Sequence, residues 1–337
     1  MRKADEDMKK VSGVYLWSGF LFVALLTACS ENNNETNNDT EETDDTAPLT
    51  GVPSDEELTH RTLGVMLGNS SDARPQSGLH EADIVYEVLA EGNVTRLLAI
   101  YHSTRPEEIG PVRSARSYYI DLGNGYDTIF ASAGGSPDAL DMMERGEVDY
   151  LSGLAYEGTY FQRSEERVAP HNLYTSYDDL EAAVEETGYE WTGEPEALTF
   201  TEEVPEEWEE AGEISVSYGG SSNEMEFHFE EEAEGYLRSA GGNENQDPAS
   251  GEPASPRNVL IVEASHEVID DSGRREIDTE GGGPAYLFQD GHVQELEWEN
   301  NEGRLLPVQN GEVVPFLPGM TWISFVREDL EEHVSYE

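Results

Sequence analysis

Apolar runs alternate with turn residues through the middle of the chain, and their spacing predicts the elements. Residues 62–69, TLGVMLGN, read as a buried strand. Residues 82–103, ADIVYEVLAEGNVTRLLAIYHS, read as two strands folded back at Glu91, Gly92 and Asn93, because turn residues between two apolar runs signal a hairpin. GPVRSARSYYIDLG (110–123) predicts a helix with Pro111 at its first position and Gly123 past its end. DTIFASAGG is a further strand, SPDALDMMERG a short helix capped by Ser136, and DDLEAAVEETG a third helix. Mixed strands and helices predict an α/β (or α+β) N-terminal domain over residues 48–190.

The second half is strand-rich. ISVSY, EMEFHFE and GYLRSA read as strands with solvated faces, followed by NVLIVEASHEVI, by GPAYLFQDGHVQELEW with a hairpin turn at Asp290-Gly291, and by EVVPFLPGMTWISFV. A mainly antiparallel β C-terminal domain over residues 191–337 is expected.

Composition changes the picture at the N-terminus. VSGVYLWSGFLFVALLTACS (11–30) is an apolar stretch preceded by Lys9 and Lys10, ending in small residues before Cys29, the single cysteine. That pattern is a leader peptide, and LTAC (26–29) resembles a bacterial lipobox, whose cysteine sulfur carries a diacylglycerol. The acidic ADED upstream fits a leader poorly and makes Met8 the expected start. An uncleaved membrane anchor is the alternative reading. Residues 1–28 are then the leader and 29–47 a polar tether, with the body outside the cytoplasm, on the outer face of the membrane, held by lipid on Cys29.

The net charge of -53, from 72 acidic and 19 basic residues, excludes nucleic acid as an expected partner. All three lysines lie in the first ten residues, so arginine supplies the cations of the body. Arg113 and Arg116, three apart on the expected helix, would grip one anion together near its N-terminus. The competing reading pairs them with native carboxylates, for which Asp83, Glu87 and Asp121 are candidates. Gly134, Gly135 and Ser136, between a strand and a helix, offer backbone N–H groups. Arg163, Arg167, His171 and Asn172 in RSEERVAPHNLYTS add a polar loop able to orient a ligand or move a proton. No phosphate-loop, zinc-protease or serine-hydrolase motif is present, and neither a metal site nor a cofactor is expected.

The strings ARPQSGLHEADIVYEVLAEGNVTRLLAIYHS, IGPVRSARSYYIDL, AGGSPDAL, APHNLY, GGGPAYLFQDGHVQELEW and PGMTWI resemble the YerB-like lipoproteins of Gram-positive bacteria over about residues 48–326. That resemblance implies an N-terminal and a C-terminal domain of unknown function and an envelope location. The order of Asp83, Arg113, Arg116 and the following GG segment is also similar to LytR-CpsA-Psr enzymes, which transfer glycopolymers from polyprenyl-pyrophosphate carriers and would need a divalent cation. Three functions follow as expectations: an envelope binding protein with an arginine site for an anion, such an enzyme, or an acidic scaffold for a protein partner.

Overall fold

The computed structural model describes residues 46–337 apart from 55–56, 206–207 and 272. The leader, the Met8 start, the lipid site at Cys29 and nearly all of the tether lie outside the described residues. The described residues form one compact unit.

The apolar runs build a twelve-stranded sheet that takes members from both halves of the chain. The first half supplies β1 (Leu63–Gly68), β2 (Ile84–Glu91), β3 (Val94–Tyr101), β4 (Ile129–Ser132) and β5 (Tyr150–Ser152). The strand Thr321–Val326 lies between β2 and Asn258–Glu263, parallel to both, with Ile84 beside Thr321. From Asn258–Glu263 the sheet continues antiparallel through Gly282–Gln289, His292–Asn301 and Arg304–Gln309. The first half mixes helix and strand and the second is mostly antiparallel sheet, as the pattern predicts. The halves expected as separate domains at residue 190 nevertheless share this one sheet.

Both faces of the sheet are covered, which is why β2 and β3 read as continuous rather than alternating apolar runs. Ile84, Tyr86 and Val88 enter a core with Tyr119, Ile120 and Leu122 of α1 (Ser117–Asn124) and Ala139 of α2 (Pro137–Arg145). Val85 and Leu89 enter the other core, with Leu180 and Val184 of α3 (Tyr177–Thr187) and Val216, Phe227 and Tyr236 of a five-stranded sheet. In that smaller sheet Glu213, Glu224 and Glu226 are exposed while Ile214, Val216, Met225 and Phe227 are buried. These glutamate-rich strands thus present one solvated face. Among the described residues no helix is long and apolar enough to cross a membrane.

Local chemistry fixes several boundaries. Ser136 caps α2 by accepting from the Ala139 N–H at 3.3 Å, and Gly146 ends it in the left-handed region. Asp290 and Gly291 both take positive φ, 49° and 74°, as a two-residue hairpin loop requires.

The helix expected from Pro111 begins instead at Ser117, and Gly123 lies inside it. Residues 111–116 are extended because neighbouring elements claim their backbone groups. Gly68 N–H donates to Pro111 O at 3.0 Å, Arg113 N–H to Met66 O at 2.8 Å, Val112 N–H to Leu173 O at 2.7 Å and Ala115 N–H to Gly134 O at 2.9 Å. These bonds replace the i to i−4 bonds of a helix.

Candidate functional site

The extended form of residues 111–116 separates the two arginines. Successive side chains of an extended segment alternate, so residues three apart project to opposite sides. Arg113 runs over Gly68, where an added Cβ would lie 2.8 Å from its Cγ, and its Nη1 donates to Pro170 O at 3.0 Å. Burial first, and Arg96 second, lower its pKa. Arg116 instead becomes the N-cap residue of α1. The two do not grip one anion together.

Arg116 is 6% exposed. Its Nη1 donates to Ala115 O at 2.6 Å, its Nη2 to Glu91 Oε1, and its buried Nε has no partner. Glu91 also accepts from Arg96 Nη2 at 3.0 and 2.9 Å. The native carboxylate is therefore Glu91 rather than Asp83, Glu87 or Asp121, and one acid serves two guanidinium groups. Arginine is also a poor N-cap. It makes no side-chain cap bond here, whereas Ser, Thr, Asp or Asn would, and its charge opposes the helix dipole.

A cavity of about 320 Å³ opens beside Arg116, lined also by Ser117, Ser136, Asp138, Arg274, Arg275 and Glu276. Arg274 is held by Asp270 at 2.6 Å and approaches Asp138 at 3.9 Å. Arg275 Nη2 donates to Gly92 O at 2.7 Å, while its Nε is buried without a partner. Among the described residues no carboxylate pairs with Arg275. Burial, then Arg327, lowers its pKa. Arg116, Arg274 and Arg275 all line this cavity, where the first turns of α1 and α2 meet. Rigid forks of N–H donors beside helix N-termini suit an oxyanion approached from several directions.

The other expected site residues divide between this cavity and the opposite side. Ser136 lines the cavity, although its hydroxyl already caps α2. Gly134 spends its carbonyl on Ala115 N–H and Ser132 Oγ, and Gly135 pairs with Ala115. Arg163 is paired with Glu157 through two 2.8 Å bonds and donates to Asn172 Oδ1 at 2.8 Å. Asn172 in turn donates to Ser164 O at 3.3 Å, so both brace their own loop. Arg167 donates to Asp72 O at 3.3 Å and Pro75 O at 2.5 Å. His171 lies near Arg113 and Arg167, and burial first, then Arg113, lowers its pKa. These residues accompany Arg113, not Arg116. Asp83 is 1% exposed and accepts from His102 N–H at 2.5 Å, Ser103 N–H at 3.1 Å and Ser103 Oγ. It fixes the end of β3, so the Asp–Arg–Arg order that resembles the polymer-transfer enzymes is not brought together in space.

Arg274 and Arg275 were not legible as site residues from local pattern. The one available signal is their adjacency in a half of the chain that has no lysine and few arginines.

Two family models match the chain, the protein of unknown function (DUF3048) N-terminal domain over residues 49–190 and the DUF3048 C-terminal domain over 214–323. The chain is 45% identical over 285 residues to "Putative lipoprotein YerB" of Bacillus subtilis (strain 168), covering 84% of this chain and 86% of the relative. The crystal structure of the YerB protein from Bacillus subtilis matches with a TM-score of 0.81 and 44% identity, over 87% of this chain and 99% of that one. The chain belongs to the DUF3048 family and is a relative of YerB in both its N-terminal and its C-terminal domain.

Proposed function

We propose that this protein is a lipid-anchored binding protein on the outer face of the cytoplasmic membrane, and that it takes a phosphate-bearing envelope ligand in the cavity of Arg116, Arg274 and Arg275. The lipobox-like LTAC at Cys29 and the lipoprotein name of the relative support the anchor. One observation carries the binding reading. In a chain of net charge -53, a buried arginine with an unpartnered Nε stands as the N-cap of a helix and shares a cavity with two more arginines. A stability-driven sequence places a small acceptor there, and a phosphate would satisfy the donors that Glu91 leaves over.

The test is calorimetric titration of the full chain in detergent with inorganic phosphate at low ionic strength. Arg275→Gln, which forfeits one bond to a surface carbonyl, is expected to keep the fold by circular dichroism and bind at least about tenfold more weakly. Absence of phosphate binding by the unmodified protein, or equal binding by the variant, refutes the reading.

A further inference from the structure

A second cavity, of about 330 Å³, opens where the first half of the chain meets the five-stranded sheet, and it shares no lining residue with the arginine cavity. Arg74 and Pro75, in the loop after β1, form one wall, and Ser222, Ala240, Gly241 and Asn245 of the sheet and its turns form the other. Arg74 Nη2 donates to Ser222 O at 2.6 Å, which fixes this side chain across the two halves. Its Nε is buried without a partner. Its Nη1, which donates to no protein atom among the described residues, lies against Gly241, where an added Cβ would sit 3.5 Å away. In a chain of net charge -53, no carboxylate among the described residues pairs with Arg74. Asn245 is 3% exposed. Its backbone groups are occupied, the N–H by Arg238 O at 3.0 Å and the carbonyl by Ala254 N–H at 3.2 Å, while its side-chain amide makes no hydrogen bond among the described residues.

We propose that this cavity is a second binding site, independent of the phosphate site, and that it takes the C-terminus of a peptide. The terminal carboxylate lies on Arg74 and the last peptide bond on Asn245. A buried carboxamide that no protein atom satisfies is costly to the fold. Its natural complement is another amide, which gives an N–H to Oδ1 and takes one from Nδ2. A guanidinium without a carboxylate calls for an oxyanion. A peptide C-terminus carries both groups side by side. The single guanidinium matches one negative charge, and the exposed Glu244, which lines the cavity and accepts from Gln246 Nε2 at 2.8 Å, would repel the second charge of a phosphate. Pro75 and Ala240 add apolar wall. The volume stands near the lower end of the range for small-ligand pockets, about 300–1,000 Å³, which suits a terminal residue with a small side chain.

The experiment titrates the full chain in detergent with N-acetyl dipeptides ending in glycine, L-alanine or D-alanine, each as the free acid and as the C-terminal amide. The best pair is repeated on Arg74→Gln and Asn245→Ala. The expected result is a free acid that binds at least about tenfold more tightly than its amide, with the difference shrinking in high salt. Arg74→Gln should erase that difference and hold the amide within about twofold. Asn245→Ala, which forfeits no hydrogen bond of the side chain to the fold, should weaken acid and amide alike by about tenfold. A merely loosened wall would not separate the two variants in this way, and if Arg74→Gln fails to fold by circular dichroism, Asn245→Ala still decides. Equal binding of acid and amide by the unmodified protein, binding of no dipeptide, or undiminished binding by Asn245→Ala overturns the proposal. Inorganic phosphate tells the two sites apart. Arg275→Gln should leave the dipeptide affinity unchanged, and displacement of the dipeptide by phosphate, lost in Arg74→Gln, would make this an inorganic-anion site and overturn the peptide. A preference for D-alanine assigns the ligand to a peptide made off the ribosome, and a preference for L-alanine assigns it to a protein C-terminus; either supports the proposal.

Discussion

Glu87 of β2 and Arg238 of the five-stranded sheet form an ion pair in the core between the two sheets, both side chains 0% exposed. Arg238 Nη2 lies 3.2 and 3.4 Å from the carboxylate oxygens, and its guanidinium stacks on Trp322 at 4.4 Å. Asn69 and Thr95 each donate to Glu87 Oε1 at 2.8 Å. Arg238→Met leaves a buried carboxylate with two neutral donors and no cation paired to it. Removing one partner of such a pair costs about 3–5 kcal/mol. At about 2–4 °C per kcal/mol for a body of this size, the melting temperature should fall by roughly 6–20 °C. Glu87→Gln should cost a similar amount by stranding the guanidinium, whereas the double variant removes both charges and should recover most of the loss. Thermal and urea unfolding of the four proteins completes the cycle. A single-variant cost below about 1 kcal/mol, or a double-variant cost equal to the sum of the two singles, refutes the idea that the pair ties the sheets together.

Three further outcomes are expected. His102, 2% exposed with Nε2 at 2.9 Å from His60 O, is held by burial at about 4. The unfolded chain takes up that proton near 6.5, so the stabilising contribution is complete above 6.5 and is lost as pH falls toward 4, by up to about 3 kcal/mol; His102→Gln should flatten that limb in unfolding measured across pH. Asp121 has the opposite sign, because its raised value near 6 makes the folded state the better proton acceptor. Its contribution is present below the ordinary carboxylate range and lost as pH rises through 6, so Asp121→Asn should gain roughly 1–2 kcal/mol at pH 8 and nothing at pH 3, again by unfolding. Arg113→Gln, on the other side of the extended segment, should leave phosphate affinity within about twofold in the same titration.

What was legible in the sequence is what local chemistry decides. The β2–β3 hairpin, the cap at Ser136, the turn at Asp290-Gly291 and the solvated faces of Glu213–Ser217 and Glu224–Glu230 follow from periodicity and turn residues alone. The segment 111–116 misleads because its conformation is set by Met66, Leu173 and Gly134, which are distant in sequence. The insertion of Thr321–Val326 beside β2 is hidden for the same reason, since parallel pairing leaves no short-range mark. Arg116 was recognisable as anomalous, but its companions come from the opposite half of the chain. Glu91 looked like a plain turn residue until the fold placed Arg96 and Arg116 on either side of it.

The most direct test observes the arginine Nε–H groups by nuclear magnetic resonance of the full chain, labelled on arginine, as inorganic phosphate is added. The account predicts that the Arg116 and Arg275 signals move, while Arg163, already paired with Glu157, stays in place. Phosphate that shifts Arg113 or Arg167 and leaves Arg116 and Arg275 unchanged would contradict it.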